Sequence, residues 1–326
     1  MVNVLIYIKL NENEKKMIKK ALEGYAKVFF RDDISDEKIL QEIEIIIAGS
    51  GLDIIKDDLS KMRNLKFVQI LAAGADHVPF KHLPESVIVA SNAGANAVPV
   101  AEHAMGLLHA IIKNICYHDH IMRKGKWDRK KYGKLIYGKN ACIIGFGFIG
   151  CELAKRLKAY GVKVYGFNRS GRNKCNDASI DGVYKIDKIH DLIKKCDFIF
   201  VSLPLNKNTM GFINLDLLEK MKKDAILINV GRGPVINIED LYRFLKKNPE
   251  FKVGLDVWWD YPDAPYKENF YQKLPFHELE NIVMTPHIAG FAEEIRIHVF
   301  TSALENVIRF IEGKEVRNIV NREDYL

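Results

Sequence analysis

The sequence predicts an α/β protein made of two doubly wound parallel sheets, and three observations carry that prediction. Short apolar bursts alternate with amphipathic stretches along the whole chain. Most of the bursts are continuous apolar runs, the pattern of strands buried on both faces. The bursts number eleven, too many for one comfortable sheet, and they are interrupted over residues 93–140.

The first set of strands is expected at 3–8 (NVLIYI), 27–30 (KVFF), 43–49 (IEIIIAG), 66–71 (KFVQIL) and 87–92 (VIVASN). Residues 97–120 then read as one long helix, followed by a polar stretch over 121–139. Strands resume at 141–147, 162–168, 197–203, 225–231, 252–258 and 281–287. Helical spacing marks 11–23, 36–42, 148–160, 186–195, 214–222 and 237–247, and a final long helix is expected over 290–313. The helix over 97–120 joins the two units. No internal repeat or low-complexity tract is visible.

The chain has 326 residues, 48% hydrophobic and 28% charged, with a net charge of +7. That is the composition of a globular protein with room for about two domains. The lysines are scattered among acids, and the densest basic stretch, RKGKWDRKKYGK at 123–134, reads as a solvated connecting face, not a nucleic-acid site. A mild positive field suits a small anionic substrate. The five cysteines (116, 142, 151, 175, 196) form no CxxC pair. Cys142 and Cys196 lie in or beside apolar runs, so reduced, mostly buried thiols are expected. The two histidines of YHDH (117–120) sit at a helix end facing different directions, so no metal is expected there. The opening MVNVLIYIKL is too short and too soon charged for a signal peptide, and no apolar run nears the roughly 18 residues that span a bilayer. A soluble, cytoplasmic protein is expected.

GFGFIG at 145–150 follows an apolar strand and opens a helix. Alone, such a motif is often only a tight turn. Inside a strand–helix–strand unit of about thirty residues it reads as a dinucleotide-binding turn of Rossmann type. Gly145 makes the turn, Gly147 lets backbone approach a pyrophosphate, and Gly150 lets the helix pack closely with its N-terminus toward the phosphates. About twenty residues onward an acidic residue usually binds the ribose 2′-hydroxyl. That slot holds Asn168, followed by Arg169, Ser170 and Arg172. Loss of the carboxylate and gain of guanidinium donors favour a 2′-phosphate, hence NADP, with NAD as the alternative; a solvated basic loop is the plainer reading.

Three further strand ends carry polar residues. NVGRGP (229–234) places Arg232 between two glycines, GLDVWWDYP (254–262) places Asp256 inside an apolar run and Asp260 just beyond it, and TPHIAG (285–290) places His287 after the last strand. A single loop Arg or His is usually structural. Three such residues at carboxyl ends of strands in one sheet line the crevice where such folds bind ligands. They offer a cation for a carboxylate, a group that titrates near neutrality, and carboxylates to tune it.

With LAAGADHVP (71–79), SNAGANAVPVAEH (91–103) and VSLPLNKNT (201–209), these motifs resemble, in order and spacing over essentially the whole chain, the D-isomer-specific 2-hydroxyacid dehydrogenases, which include glyoxylate and hydroxypyruvate reductases and phosphoglycerate dehydrogenases. The resemblance implies a discontinuous substrate-binding domain (1–96 and 288–326), an inserted dinucleotide-binding domain (97–287), and a homodimer. It implies that Arg232 binds the substrate carboxylate and carbonyl oxygen, and that His287 exchanges a proton with the reacting oxygen. Backbone N–H groups around Ala73, Gly74 and Ala75 would bind the same carboxylate. Phe148 and Ile149 would lie along the pyrophosphate, and Pro204, Thr209, Val230, Asp256 and Gly290 would line the nicotinamide nucleotide. The family usually has Glu just before the proline of GLDVWWDYP, and this chain has Tyr261 there. Asp260 is the candidate substitute; the alternative is a turn residue at 260 with Tyr261 filling the space. Without a neighbouring carboxylate, His287 would titrate nearer its reference value of about 6.5. Formate dehydrogenases of the same superfamily carry Gln there, which this chain also lacks. The expected function is an NADP-preferring reductase of a small 2-oxo acid such as glyoxylate or hydroxypyruvate. The rivals are an NAD-dependent D-3-phosphoglycerate dehydrogenase and a non-catalytic dinucleotide-sensing protein.

Overall fold

Parallel pairing of the apolar bursts leaves two faces of each sheet to be covered, and helices cover them. The computed structural model describes residues 1–34, 37–49, 56–173, 175, 180–264 and 266–326. The chain divides into two compact units, Met1–Asn96 with Ala292–Leu326, and Ala97–Phe291.

In the first unit β1 (Val2–Tyr7), β2 (Ala26–Phe30), β3 (Ile45–Ala48), β4 (Phe67–Ile70) and β5 (Ile88–Ala90) form a parallel sheet of order β2-β1-β3-β4-β5. The direction of winding reverses between β1 and β3, as in doubly wound folds. Helices α1 (Glu12–Ala21), α2 (Glu37–Glu42) and α3 (Lys56–Leu59) lie between the strands; residue 36, where α2 was expected to begin, lies outside the described residues. Asn11 and Glu14 accept each other's backbone N–H at 2.9 Å and so start α1. The last helix starts at Ile295, not at residue 290, and runs to Ile311. It buries Phe300, Leu304 and Val307 with Val4, Ile6 and Phe67 on one sheet face, while Leu5, Ile46 and Val68 point to the other. Its Asn306 meets buried Gln69 at 2.7 Å, so neither amide is left unsatisfied.

The second unit has seven parallel strands, β6 (Asn140–Ile144), β7 (Lys163–Asn168), β8 (Gly182–Lys185), β9 (Phe198–Val201), β10 (Ile226–Asn229), β11 (Lys252–Leu255) and β12 (Ile282–Met284). Their order is β12-β11-β10-β9-β6-β7-β8, with the winding reversing between β6 and β9. β8 was not expected from the sequence: it is a sheet edge whose four residues are half-buried or exposed, so no apolar run marks it. Helices α4 (Ala97–Ile112), α5 (Ile115–Arg123), α6 (Phe148–Ala159), α7 (Ile189–Leu192), α8 (Leu215–Glu219) and α9 (Ile238–Lys247) complete the unit. Ile143, Phe200 and Ile228 face α4 and α6, while Cys142, Ile144 and Val201 face the opposite core with Leu217, Leu241 and Phe244. Neighbours along each strand point to opposite faces, and both faces are covered, so the runs are apolar throughout.

Two expectations need correction. The helix over 97–120 is two helices, broken at Asn114, which is left-handed (φ 53°) and donates its side-chain amide to the Tyr132 carbonyl at 3.0 Å. Lys134 N–H closes the end of α4 on the Ile112 carbonyl at 2.9 Å. The thiols are not all reduced. Cys142 and Cys196 are free and buried, but Cys151 and Cys175, 24 residues apart, form a disulfide with Cα atoms 5.7 Å apart. Sequence spacing carried no sign of this, because α6 and the loop after β7 meet only in the fold. Burial and the adjacent Cys196 side chain push the Cys142 thiol well up, which keeps Cys142 protonated. Among the described residues no helix is long and apolar enough to cross a membrane.

Candidate active site

The carboxyl ends of β6, β7 and β9 to β12 carry the candidate residues of the second unit. Gly145 follows β6 with φ 97°, and a side chain there would stand 2.7 Å from Leu203 N. Only glycine fits this crossing. Phe146 then turns inward, and Gly150 packs against it: an added Cβ would be 3.0 Å from the Phe146 ring and 3.2 Å from Ile143. At Gly147 the nearest atom to an added Cβ is 4.0 Å away, so this position is open. Gly147 is the N-cap of α6 and offers no side-chain cap, whereas α8 and α9 are capped by Asn214 and Asn237. An uncapped N-terminus behind an open glycine has the form of a phosphate cradle, with exposed Phe148 and half-buried Ile149 at its mouth.

The turn after β7 explains why an amide stands at residue 168. Asn168 donates its side-chain NH2 to Phe146 O at 3.2 Å and to Arg172 O at 2.9 Å. Its Oδ1 accepts from Gly171 N–H at 2.7 Å and from the Ser170 hydroxyl at 3.2 Å. An Asp would face two carbonyl oxygens without a donor. Asn168 therefore wires residues 168–172 to the glycine turn, and Arg169, Ser170 and Arg172 stand exposed at the strand end. Thr209 has a similar internal task, donating to Pro204 O at 2.6 Å and accepting from Asn206 N–H at 2.9 Å. Val230 is buried at the end of β10.

Arg232, Asp256 and His287 follow β10, β11 and β12, three neighbouring strands. Buried Asn229 shapes the first turn: its Oδ1 accepts from Gly231 N–H and its Nδ2 donates to Arg232 O, both at 3.0 Å. The half-buried Arg232 guanidinium donates to Gly231 O at 2.9 Å. Gly233 leaves room for the segment after β11, since a Cβ there would lie 2.2 Å from Trp258 O.

His287 is half-buried with φ 59°, a left-handed conformation that costs a non-glycine residue about 1–2 kcal/mol. Asp256 offsets this cost. Its carboxylate is 1% exposed and accepts from Thr285 Oγ1 at 2.6 Å and from Ile288 and Ala289 N–H at 2.9 Å each. His103 Nε2 lies 2.9 Å from Thr285 Oγ1. The threonine's one hydrogen goes to Asp256, so this nitrogen carries the proton and donates. Trp258 Nε1 also holds the Thr285 carbonyl at 2.9 Å. Asp256, expected beside the cofactor, holds the turn of His287 through these bonds. His103 was missed because a helical His on an apolar face looks structural.

Tyr261 rests against His287, ring centroids 5.4 Å apart and tilted by 45°, and its Oη accepts from Trp258 N–H at 3.1 Å. Asp260 is exposed, and its backbone N–H and C=O bond to the Gln272 side chain at 3.2 and 2.9 Å. Among the described residues its carboxylate has no hydrogen bond or ion pair. Gly290 closes the 285–290 turn and is half-buried. In the first unit, Ala73, Gly74 and Ala75 form the turn after β4, held where Asn92 N–H meets the Ala72 carbonyl at 3.0 Å.

A seven-stranded sheet with a glycine turn at its switch point, and a cation and an imidazole at strand ends on either side of β11, defines a dinucleotide-dependent enzyme fold. Comparison with known proteins agrees. The profile for the "D-isomer specific 2-hydroxyacid dehydrogenase, NAD binding domain" matches residues 105–289, and the chain belongs to the D-isomer-specific 2-hydroxyacid dehydrogenase family. It is 31% identical, over 98% of its length, to D-3-phosphoglycerate dehydrogenase of Methanocaldococcus jannaschii, of which it spans 60%. It is also 31% identical to hydroxypyruvate reductase of Thermotoga maritima, over 90% of this chain and 92% of that one. A solved acyclic imino acid reductase in complex with NADPH and D-Arg is similar in structure, with TM-score 0.80, 27% identity and coverage of 98% and 100% of the two chains.

Proposed function

We propose that the chain is an NADP(H)-preferring reductase that converts a small 2-oxo acid, such as glyoxylate or hydroxypyruvate, to the D-2-hydroxy acid. The observation that carries this reading is the pair of strand ends on either side of β11 that bear Arg232 and His287, with His287 held in a left-handed turn by buried Asp256. The glycine turn and the N-terminus of α6 would hold the pyrophosphate of the dinucleotide, whose reduced nicotinamide would supply the hydride. Arg232 pairs with the substrate carboxylate and polarises the carbonyl. His287, protonated, gives its proton to the carbonyl oxygen, and as neutral imidazole it takes the proton back in the reverse direction. The Asn168 network supports the cofactor preference, because it turns an amide inward and leaves Arg169, Ser170 and Arg172 exposed for a 2′-phosphate. The NADPH-bound imino acid reductase supports the same choice.

A homodimer belongs to this reading. Trp127, Tyr132, Leu135 and Tyr137 are 76%, 85%, 67% and 76% exposed in one segment of the second unit, a cluster that a second copy would cover. The enzyme is assigned to the cytoplasm. A second reading, NAD-dependent oxidation of D-3-phosphoglycerate, is favoured by the Methanocaldococcus relative. The deciding experiment measures kcat/KM for glyoxylate, hydroxypyruvate, pyruvate and phosphohydroxypyruvate with NADPH and NADH. Highest efficiency with a small 2-oxo acid and NADPH supports the proposal. Highest efficiency with phosphohydroxypyruvate and NADH moves the assignment to the second reading, and cofactor binding without turnover moves it to a sensing protein.

A further inference from the structure

The disulfide joins two segments that the cofactor reading uses separately. Cys151 is the fourth residue of α6, the helix whose uncapped N-terminus follows Gly147. Cys175 lies three residues beyond Arg172, and its N–H is fixed by Asn173 Oδ1 at 2.9 Å. Their Cα separation of 5.7 Å is in the range that a disulfide spans. The bond is therefore a second strap on the turn that Asn168 already ties to Phe146 O. Both cysteines are half-buried and pack at the margin of the core, unlike the wholly buried Cys142 and Cys196. A small thiol or disulfide can reach such sulfurs, whereas the enclosed pair is shielded.

We propose that Cys151 and Cys175 are a reversible thiol–disulfide modification site that sets discrimination between NADP(H) and NAD(H). The oxidant is a low-molecular-weight disulfide. The Cys151 thiolate attacks one of its sulfurs, forming a mixed disulfide and releasing one small thiolate. The Cys175 thiolate then attacks the Cys151 sulfur, forming the protein disulfide and releasing the second. The protein loses two electrons and two protons, which leave as two molecules of small thiol. In the oxidised state the turn bearing Arg169 and Arg172 is held before the cofactor arrives. In the reduced state the turn keeps the Asn168 strap but loses the second one, so Arg169 and Arg172 lose more freedom on binding, which weakens NADPH by about tenfold and barely changes NADH, which has no 2′-phosphate. Linkage requires the converse: saturating NADP⁺ makes the disulfide about tenfold harder to reduce, a midpoint shift of ~30 mV. The inference rests on the proposed dinucleotide site, with Arg169 and Arg172 meeting a 2′-phosphate when one is present.

The test equilibrates wild-type protein in glutathione buffers of graded potential, with and without NADP⁺, and counts alkylated thiols by mass. Dissociation constants for NADPH and NADH are then measured on both states. Expected are joint oxidation of Cys151 and Cys175, tenfold tighter NADPH binding when oxidised, and the midpoint shift. Cys151→Ser and Cys175→Ser should hold the reduced-state NADPH affinity in every buffer. Failure of the two thiols to pair overturns the proposal, as do equal cofactor affinities in both states with an unmoved midpoint. A wild type that prefers NADH, but whose NADPH-to-NADH affinity ratio still changes tenfold with redox state, overturns the cofactor preference and leaves this inference standing. A protein that binds neither dinucleotide overturns both.

Discussion

Replacing Asp256 by Asn tests whether this carboxylate holds the catalytic turn. The substitution preserves volume and one acceptor oxygen but places an NH2 where a carboxylate oxygen now accepts. Asp256 serves the Thr285 hydroxyl and the Ile288 and Ala289 N–H groups inside a site 1% exposed, so at least one buried donor loses its partner. An unsatisfied buried donor costs about 1–3 kcal/mol. A loss of about 2 kcal/mol lowers the melting temperature by roughly 4–8 °C for a unit of this size. The left-handed backbone of His287 then relaxes, and displacement of a reacting group by an ångström costs on the order of a hundredfold in turnover. Thermal unfolding, single-turnover reduction and the NADPH dissociation constant read the three effects apart. A lower melting point and lower kcat with unchanged cofactor affinity support the positioning role. Weaker NADPH binding with full kcat would return Asp256 to direct cofactor contact. Wild-type melting and wild-type turnover together would refute the reasoning.

Four further outcomes are expected, the last for a pair of substitutions. Asn168→Asp removes the two bonds donated to Phe146 O and Arg172 O and adds a charge that repels a 2′-phosphate, so KM for NADPH rises by tenfold or more while that for NADH does not; equal changes for both cofactors would sink the assignment. Arg232→Ala raises KM for the 2-oxo acid and lowers kcat together, and wild-type kinetics would take Arg232 out of the site. His287→Ala loses about a hundredfold or more in kcat, whereas near-normal rates across pH would identify another donor. Tyr261→Glu places a carboxylate beside the imidazole, favours its protonated form, and moves the fall of the reduction rate to higher pH; Asp260→Asn moves it to lower pH under the proposed role of that carboxylate. A profile that shifts only with Tyr261 gives the role to the aromatic ring that rests on His287.

The continuous apolar runs and the turn glycines were enough to determine that the chain forms two doubly wound parallel sheets, because burial on both faces and tight strand-to-helix crossings are written in local residue choice. The same local logic marked GFGFIG, Arg232 and His287 at strand ends. It could not find β8, an edge with no face fully buried, or the break at Asn114, which depends on the distant Tyr132 carbonyl. Three decisions belonged to the tertiary structure alone. Asn168 faces inward because Phe146 and Arg172 bring carbonyls to it, Asp256 holds the histidine turn because β11 and β12 are neighbours, and Cys151 meets Cys175 because α6 packs beside the loop after β7. Each rests on partners supplied by other segments, and a hydrogen bond or disulfide between remote segments leaves no periodic trace in the order of the residues.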